Sequence, residues 1–164
     1  MFTIDVTRYS SPNFDQRSTP ITYVVIHSCE GHPLGNEQAS SIPWLCNPAA
    51  KVSSHYYVTR EGKIYQLVAE RYRAWHAGRC TIAADANSVS LGIELEHAQG
   101  AAPYPDIQKE ALAWLCKQLM ARYAIPADRV VSHRAIALPS KRKIDPTDWP
   151  EPAFRLWCAE LCRV

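Results

Sequence analysis

Thr22-Tyr23-Val24-Val25-Ile26-His27 is the stretch on which the fold reading turns. Its β-branched and aromatic residues follow one another without a polar break. Side chains along a strand point alternately to its two faces, so such a run predicts a strand covered on both sides. Working outward, Ser54-His55-Tyr56-Tyr57-Val58-Thr59 and Ile64-Tyr65-Gln66-Leu67-Val68 flank Arg60-Glu61-Gly62-Lys63, the pattern of a hairpin with glycine in its turn. Ser90-Leu91-Gly92-Ile93-Glu94-Leu95-Glu96 predicts a fourth strand, and alternation puts Glu94 and Glu96 on one face and Ile93 and Leu95 on the other. Arg129-Val130-Val131-Ser132-His133 is a short fifth.

Helical periodicity is strongest from Asp106 to Tyr123. There Ile107, Ala111, Leu112, Leu115 and Leu119 make an apolar stripe, with Lys109, Lys117 and Arg122 off it. Asp106 suits the first turn or the cap, and Ile125-Pro126 ends the segment. A shorter helix is expected over Gln38 to Leu45. A last one is expected over Glu151 to Leu161, with Asp148 as its cap and Pro150 in its first turn. Strands alternating with helices predict an α/β fold: a central mixed β-sheet of about five strands flanked by about three helices. No repeat, low-complexity tract or linker divides the chain, so residues 1–164 read as a single domain.

Composition narrows the function classes. The chain is 47% hydrophobic and 21% charged, ordinary for a globular protein, and its net charge of +2 gives no field suited to nucleic acid. No stretch approaches the ~20 apolar residues of a membrane span. Met1-Phe2-Thr3-Ile4-Asp5 has neither the basic start nor the apolar run of a secretory signal, so synthesis in the cytoplasm is expected. The six cysteines have no zinc-finger spacing; Cys116 reads as a buried thiol, and Cys158 and Cys162 as helix neighbours poorly placed for a disulfide.

Two histidines end apolar strands, His27 after Ile26 and His133 after Ser132. In open α/β sheets, functional groups collect where strands give way to loops. Taken singly, each histidine is equally a hydrogen-bonded, half-buried imidazole. Followed by the loop Lys141-Arg142-Lys143-Ile144-Asp145-Pro146, the pair acquires a carboxylate. Two imidazoles and one carboxylate, with a fourth position left to water, make a standard catalytic zinc set. Asp148 competes with Asp145 for the third position, although its place before Trp149-Pro150 suits a cap. Glu94 or Glu96 is a candidate to deprotonate water, and Lys143 to steady developing negative charge.

The segments Ser11–Arg17, Val24–His27, Val52–Tyr56, Ala74-Trp75-His76-Ala77-Gly78, Ser90–Glu96 and Val130–His133 resemble, in order and over nearly the whole chain, the zinc-dependent N-acetylmuramoyl-L-alanine amidases related to peptidoglycan-recognition proteins. The resemblance implies a zinc hydrolase cutting the amide between N-acetylmuramic acid and L-alanine. It implies His27, His133 and Asp145 as ligands, Glu94 and Lys143 as catalytic groups, and Trp75, His76 and Asn87 at the substrate. Lys141 could exchange roles with Lys143. A monomer is expected, acting on peptidoglycan or muropeptides and needing no nucleic acid or membrane span. Three settings stay open: a lytic, endolysin-type enzyme reaching the wall, a cytoplasmic anhydromuropeptide-recycling amidase, or a peptidoglycan-binding module without catalysis.

Overall fold

The run around Val25 forms strand β3 (Tyr23–Cys29), and the rest of the sheet grows from it. The computed structural model describes residues 1–29, 41–98, 100 and 103–162. On one side β3 pairs in parallel with β7 (Ser90–Glu96), and on the other with β8 (Val130–Ser132). Beyond β7 lie β4 (Tyr56–Val58) and β5 (Ile64–Gln66), the antiparallel hairpin read from the sequence. Gly62 adopts φ +79° in its turn, a conformation in which side-chained residues are strained. β1 (Ile4–Asp5) adds a parallel edge, giving a six-stranded order β1-β5-β4-β7-β3-β8.

The five anticipated strands are all present. β1 was not anticipated, nor was a second, two-stranded sheet of β2 (Phe14–Gln16) and β6 (Tyr72–Ala74). Strands this short carry too little periodicity to be read, and β2 meets β6 across a long loop. The helix expected from Gln38 is observed as α1 (Ile42–Leu45), and residues 38–40 lie outside the described residues. α2 (Ala86–Val89) and α4 (His133–Ile136) are single turns. α3 (Asp106–Tyr123) has the expected bounds, and α5 covers Glu151–Glu160.

One face of the sheet, carrying Val24, Ile26, Leu91, Ile93, Leu95 and Val130, packs on α3 and α5. Fully burying each such aliphatic side chain contributes roughly 1.5–3 kcal/mol. Cys116 and Cys158 are buried free thiols in this layer, and Cys162 is exposed and free. The opposite face carries two apolar clusters. Val25 and Val131 pack with Ala77, Ala86 and Ile136, while Tyr57, Tyr65 and Leu67 pack with Ile42 and Leu45 of α1. No helix among the described residues is long and apolar enough to cross a membrane.

Two expectations are corrected here. Ile107 is 43% exposed, and the buried stripe of α3 begins instead with Gln108. Gln108 is drawn in because its Nε2 donates to the carbonyls of Val58 and Glu96, both at 3.0 Å, tying the helix to two strand ends. Asp148 does not cap α5, whose N-cap is Pro150 without a side-chain bond. It adopts φ 56° and accepts from His97 Nε2 at 2.8 Å and the Gly100 N–H at 2.7 Å. Gln108→Ala leaves two buried carbonyls without their donor and is expected to cost about 1–3 kcal/mol in urea unfolding. Ile107→Ala is expected to cost less than about 1 kcal/mol, the reverse of the order that hydrophobicity alone suggests.

Candidate active site

Register brings the candidate residues together. Tyr57, Glu94 and His27 are neighbours across β4, β7 and β3, so their side chains leave the sheet on the same face. Val25 pairs with Val131 and Ile26 with Ser132, so the next step sets His133 beside His27 at the end of β8. Ser132 ends that strand as the N-cap of α4, its hydroxyl accepting the Ala135 N–H, and the turn carries the His133 ring toward His27. Asp145 arrives on the following loop, held where the Arg134 N–H meets the Asp145 carbonyl and the Thr147 N–H meets Ser28 Oγ.

The three side chains are buried and form a near-equilateral triangle. His27 Nδ1 lies 3.0 Å from His133 Nδ1 and 3.2 Å from Asp145 Oδ2, and His133 Nδ1 lies 3.0 Å from the same oxygen. The far side of each ring assigns its proton. His133 Nε2 sits 3.0 Å from the Ala77 carbonyl, an acceptor only, and therefore carries the hydrogen. His27 Nε2 is 3.0 Å from His76 Nδ1, and His76 Nε2 is 3.3 Å from Ser90 Oγ, which itself donates to the Ala86 carbonyl. Passing the protons outward along this chain leaves both Nδ1 atoms as lone pairs facing a carboxylate. Three acceptors with no proton among them are what a metal ion could hold, and they form the candidate metal group among the described residues.

The triangle opens into a groove of about 320 Å³ that Cys29 and Leu45 of the α1 cluster help to line. Glu94, Lys143, Trp75, His76 and Trp44 contribute to its walls. Of the two acids on β7, only Glu94 reaches the groove; Glu96 accepts the Arg60 N–H at 2.9 Å. Of the two lysines, only Lys143 does. The indole of Trp75 is aimed by Asp15 Oδ2, 2.7 Å from its Nε1.

Residues 17–148 match the family of N-acetylmuramoyl-L-alanine amidases. The chain belongs to that family. It is 38% identical to the 1,6-anhydro-N-acetylmuramyl-L-alanine amidase AmpD of Citrobacter freundii, over 88% of this chain and 87% of the relative. The crystal structure of a selenomethionine AmpD derivative superposes with a TM-score of 0.77 at 28% identity, covering 93% of this chain and 94% of that one. The amidase AmiD of Escherichia coli, in complex with the substrate anhydro-N-acetylmuramic acid-L-Ala-D-γ-Glu-L-Lys, superposes at 0.70 with 32% identity, covering 94% of this chain and 60% of that one.

Within this amidase, Asn87 stands elsewhere than the groove. It is buried, and its Oδ1 accepts the N–H groups of His76 (3.1 Å) and Ala77 (2.8 Å), so it shapes the segment beneath His27. Asp85 caps the turn that turns Asn87 inward, accepting its N–H. His76 packs against the strand, where Gly92 leaves the space: a Cβ there would lie 2.5 Å from His76 Cγ. Sequence reasoning missed the amidase's supporting residues. Arg17 donates to the carbonyls of Glu70, Tyr72, Asn87, Ser88 and Ser90, binding β6, α2 and β7 together. His55 accepts the Gly92 N–H on Nδ1 at 3.0 Å and donates from Nε2 to the Tyr72 carbonyl. Both lie in segments that carry the family resemblance, but neither residue type nor spacing gives their supporting role.

Burial sets the charge states. Desolvation, with His133 alongside, pulls the His27 imidazole down to about 4, and desolvation takes His55 to about 3. His76 is likewise held well below its ordinary value by burial. Burial opposes ionisation of Asp145, yet beside the His133 and His27 nitrogens its carboxyl lies well below the ordinary carboxylate range. The unfolded chain takes up protons below about pH 6.5 that these folded imidazoles refuse. Their contribution is therefore complete above pH 6.5 and is lost as pH falls toward 4, by up to about 1.4 kcal/mol per pH unit for each ring. The urea midpoint of the metal-free protein is expected to drop between pH 7 and pH 5, and a flat midpoint would contradict neutral buried rings.

Proposed function

We propose that this chain is a zinc-dependent amidase that hydrolyses the bond between N-acetylmuramic acid and L-alanine, with His27, His133 and Asp145 as the metal ligands. The observation that carries the reading is the triangle of three proton-free acceptors in the groove. Ligand atoms about 2.0–2.1 Å from zinc in a tetrahedron lie roughly 3.3–3.4 Å apart, close to the 3.0–3.2 Å separations here. Imidazole nitrogen and carboxylate oxygen are the donors that zinc takes in hydrolytic sites with an open fourth position. Zinc, when bound, would polarise the scissile carbonyl and lower the pKa of water toward about 7.

The protein's own groups supply the rest. Glu94, beside His27 on the neighbouring strand, takes a proton from the water that adds to the lactyl carbonyl and returns it to the departing alanine nitrogen. Lys143 presents a cation in the groove, where the carbonyl oxygen becomes negative. Trp75, fixed by Asp15, offers a rigid aromatic wall for sugar or peptide. His76 acts from below, orienting His27, and Asn87 orients His76.

Soluble anhydromuropeptides are the substrate class we favour. The relatives that align over most of both lengths are named for the 1,6-anhydro sugar, at 31–38% identity. A wall-lytic role is the second reading: N-acetylmuramoyl-L-alanine amidase A of Achromobacter lyticus, 34% identical over 71% of this chain and 60% of the relative, is named without the anhydro sugar. A binding module without catalysis is disfavoured because the three acceptors, Glu94 and Lys143 are all in one groove. Release of new N-terminal alanine from soluble anhydromuropeptides, against release from intact sacculi, separates the first two readings; none from either rejects hydrolysis. Glu94→Gln is expected to cut turnover by about 10²–10⁴ with zinc content unchanged. Asp145→Ala is expected to lose zinc, and normal metal content in that variant would place the third ligand elsewhere.

A further inference from the structure

Cys29 lies two residues beyond His27 on β3, hence on the same face of the sheet, and it contributes to the groove. Its Sγ is 3.2 Å from Glu94 Oε2. The Ser41 and Tyr57 side chains also lie near the sulfur. Hydroxyls can donate to sulfur, whereas a carboxylate can only accept, so the thiol hydrogen is directed at Glu94. A thiol's ordinary pKa of about 8.5 lies above neutral pH, so that hydrogen stays in place. Tyr57 is itself the register neighbour of Glu94 on β4.

We propose that Cys29 is a positioning residue for Glu94: its S–H fixes one carboxylate oxygen, and so sets the direction in which Glu94 meets the attacking water. The inference rests on the reading of Glu94 as the base. A carboxylate on a flexible two-carbon stem samples several rotamers, and proton transfer needs one of them. A donor on the neighbouring strand, fixed by the same parallel pairing that fixes His27, selects that rotamer before substrate arrives.

Cys29→Val keeps an apolar side chain against Ile42, Leu45 and Leu67 while removing the donor, and Cys29→Ser keeps a donor. On a soluble muropeptide, the valine variant is expected to lower kcat about tenfold, the scale of one weak hydrogen bond to a charged acceptor, with KM and zinc content unchanged. The serine variant is expected to recover most of that loss. Cys29→Ala repeats the test should valine prevent folding. An unchanged kcat in the donor-less variants overturns the proposal. So does a fall in zinc content that serine does not repair, which would make Cys29 a packing residue behind His27. If Glu94→Gln retains full activity, the base assignment fails instead, whatever the cysteine variants do.

Discussion

Three lone pairs held within about 3 Å of one another repel unless something positive lies among them, and the structure around this site works to keep them so. The Ala77 carbonyl binds the proton of His133, and the His76–Ser90–Ala86 chain draws that of His27 outward. Burial then denies the His27 and His76 rings a second proton from solvent. The arrangement costs stability in the metal-free protein, which is the usual relation between a prepared site and its scaffold. Metal binding would recover that free energy.

That constraint explains otherwise unrelated features. His76 can lie beneath His27 only because position 92 has no Cβ. The segment carrying His76 needs an acceptor for its N–H groups, and Asn87 provides it from a turn that Asp85 caps. The carbonyls left open around α2, β6 and β7 converge on one guanidinium, that of Arg17. A neutral His55 joins Gly92 to Tyr72 in the same layer. Each group satisfies polar atoms that burial would otherwise leave without partners.

On the other side of the groove, the Asp145 loop is secured by contacts spread along the chain. Tyr104 OH donates to the Thr147 carbonyl, Ser28 Oγ meets the Thr147 N–H, and Arg142 donates to the carbonyls of Ala77 and Arg79. His97 and Asp148 join the loop after β7 to the same segment. Glu94 and His27 thus sit on strands, while the loop that brings Asp145 is tied to elements on both sides.

The sequence by itself determined the strands whose apolar runs are long enough to show a period, the hairpin around Gly62, the bounds of α3, and the two strand-end histidines that the fold sets side by side. Periodicity and strand ends are local properties, and a parallel strand buried on both faces leaves little choice of sequence. Only the tertiary structure decided which neighbours those side chains would have. Gln108 displaced Ile107 from the core because two carbonyls from distant strands needed a donor. Asp148 was taken by His97 and Gly100 rather than by a helix end, and Asn87 was turned inward by Asp85. β2 found β6, and Cys29 found Glu94, across separations of some sixty residues in the sequence. Hydrogen bonds between distant segments follow from how layers stack and which polar atoms burial strands, and no local pattern of residues encodes that.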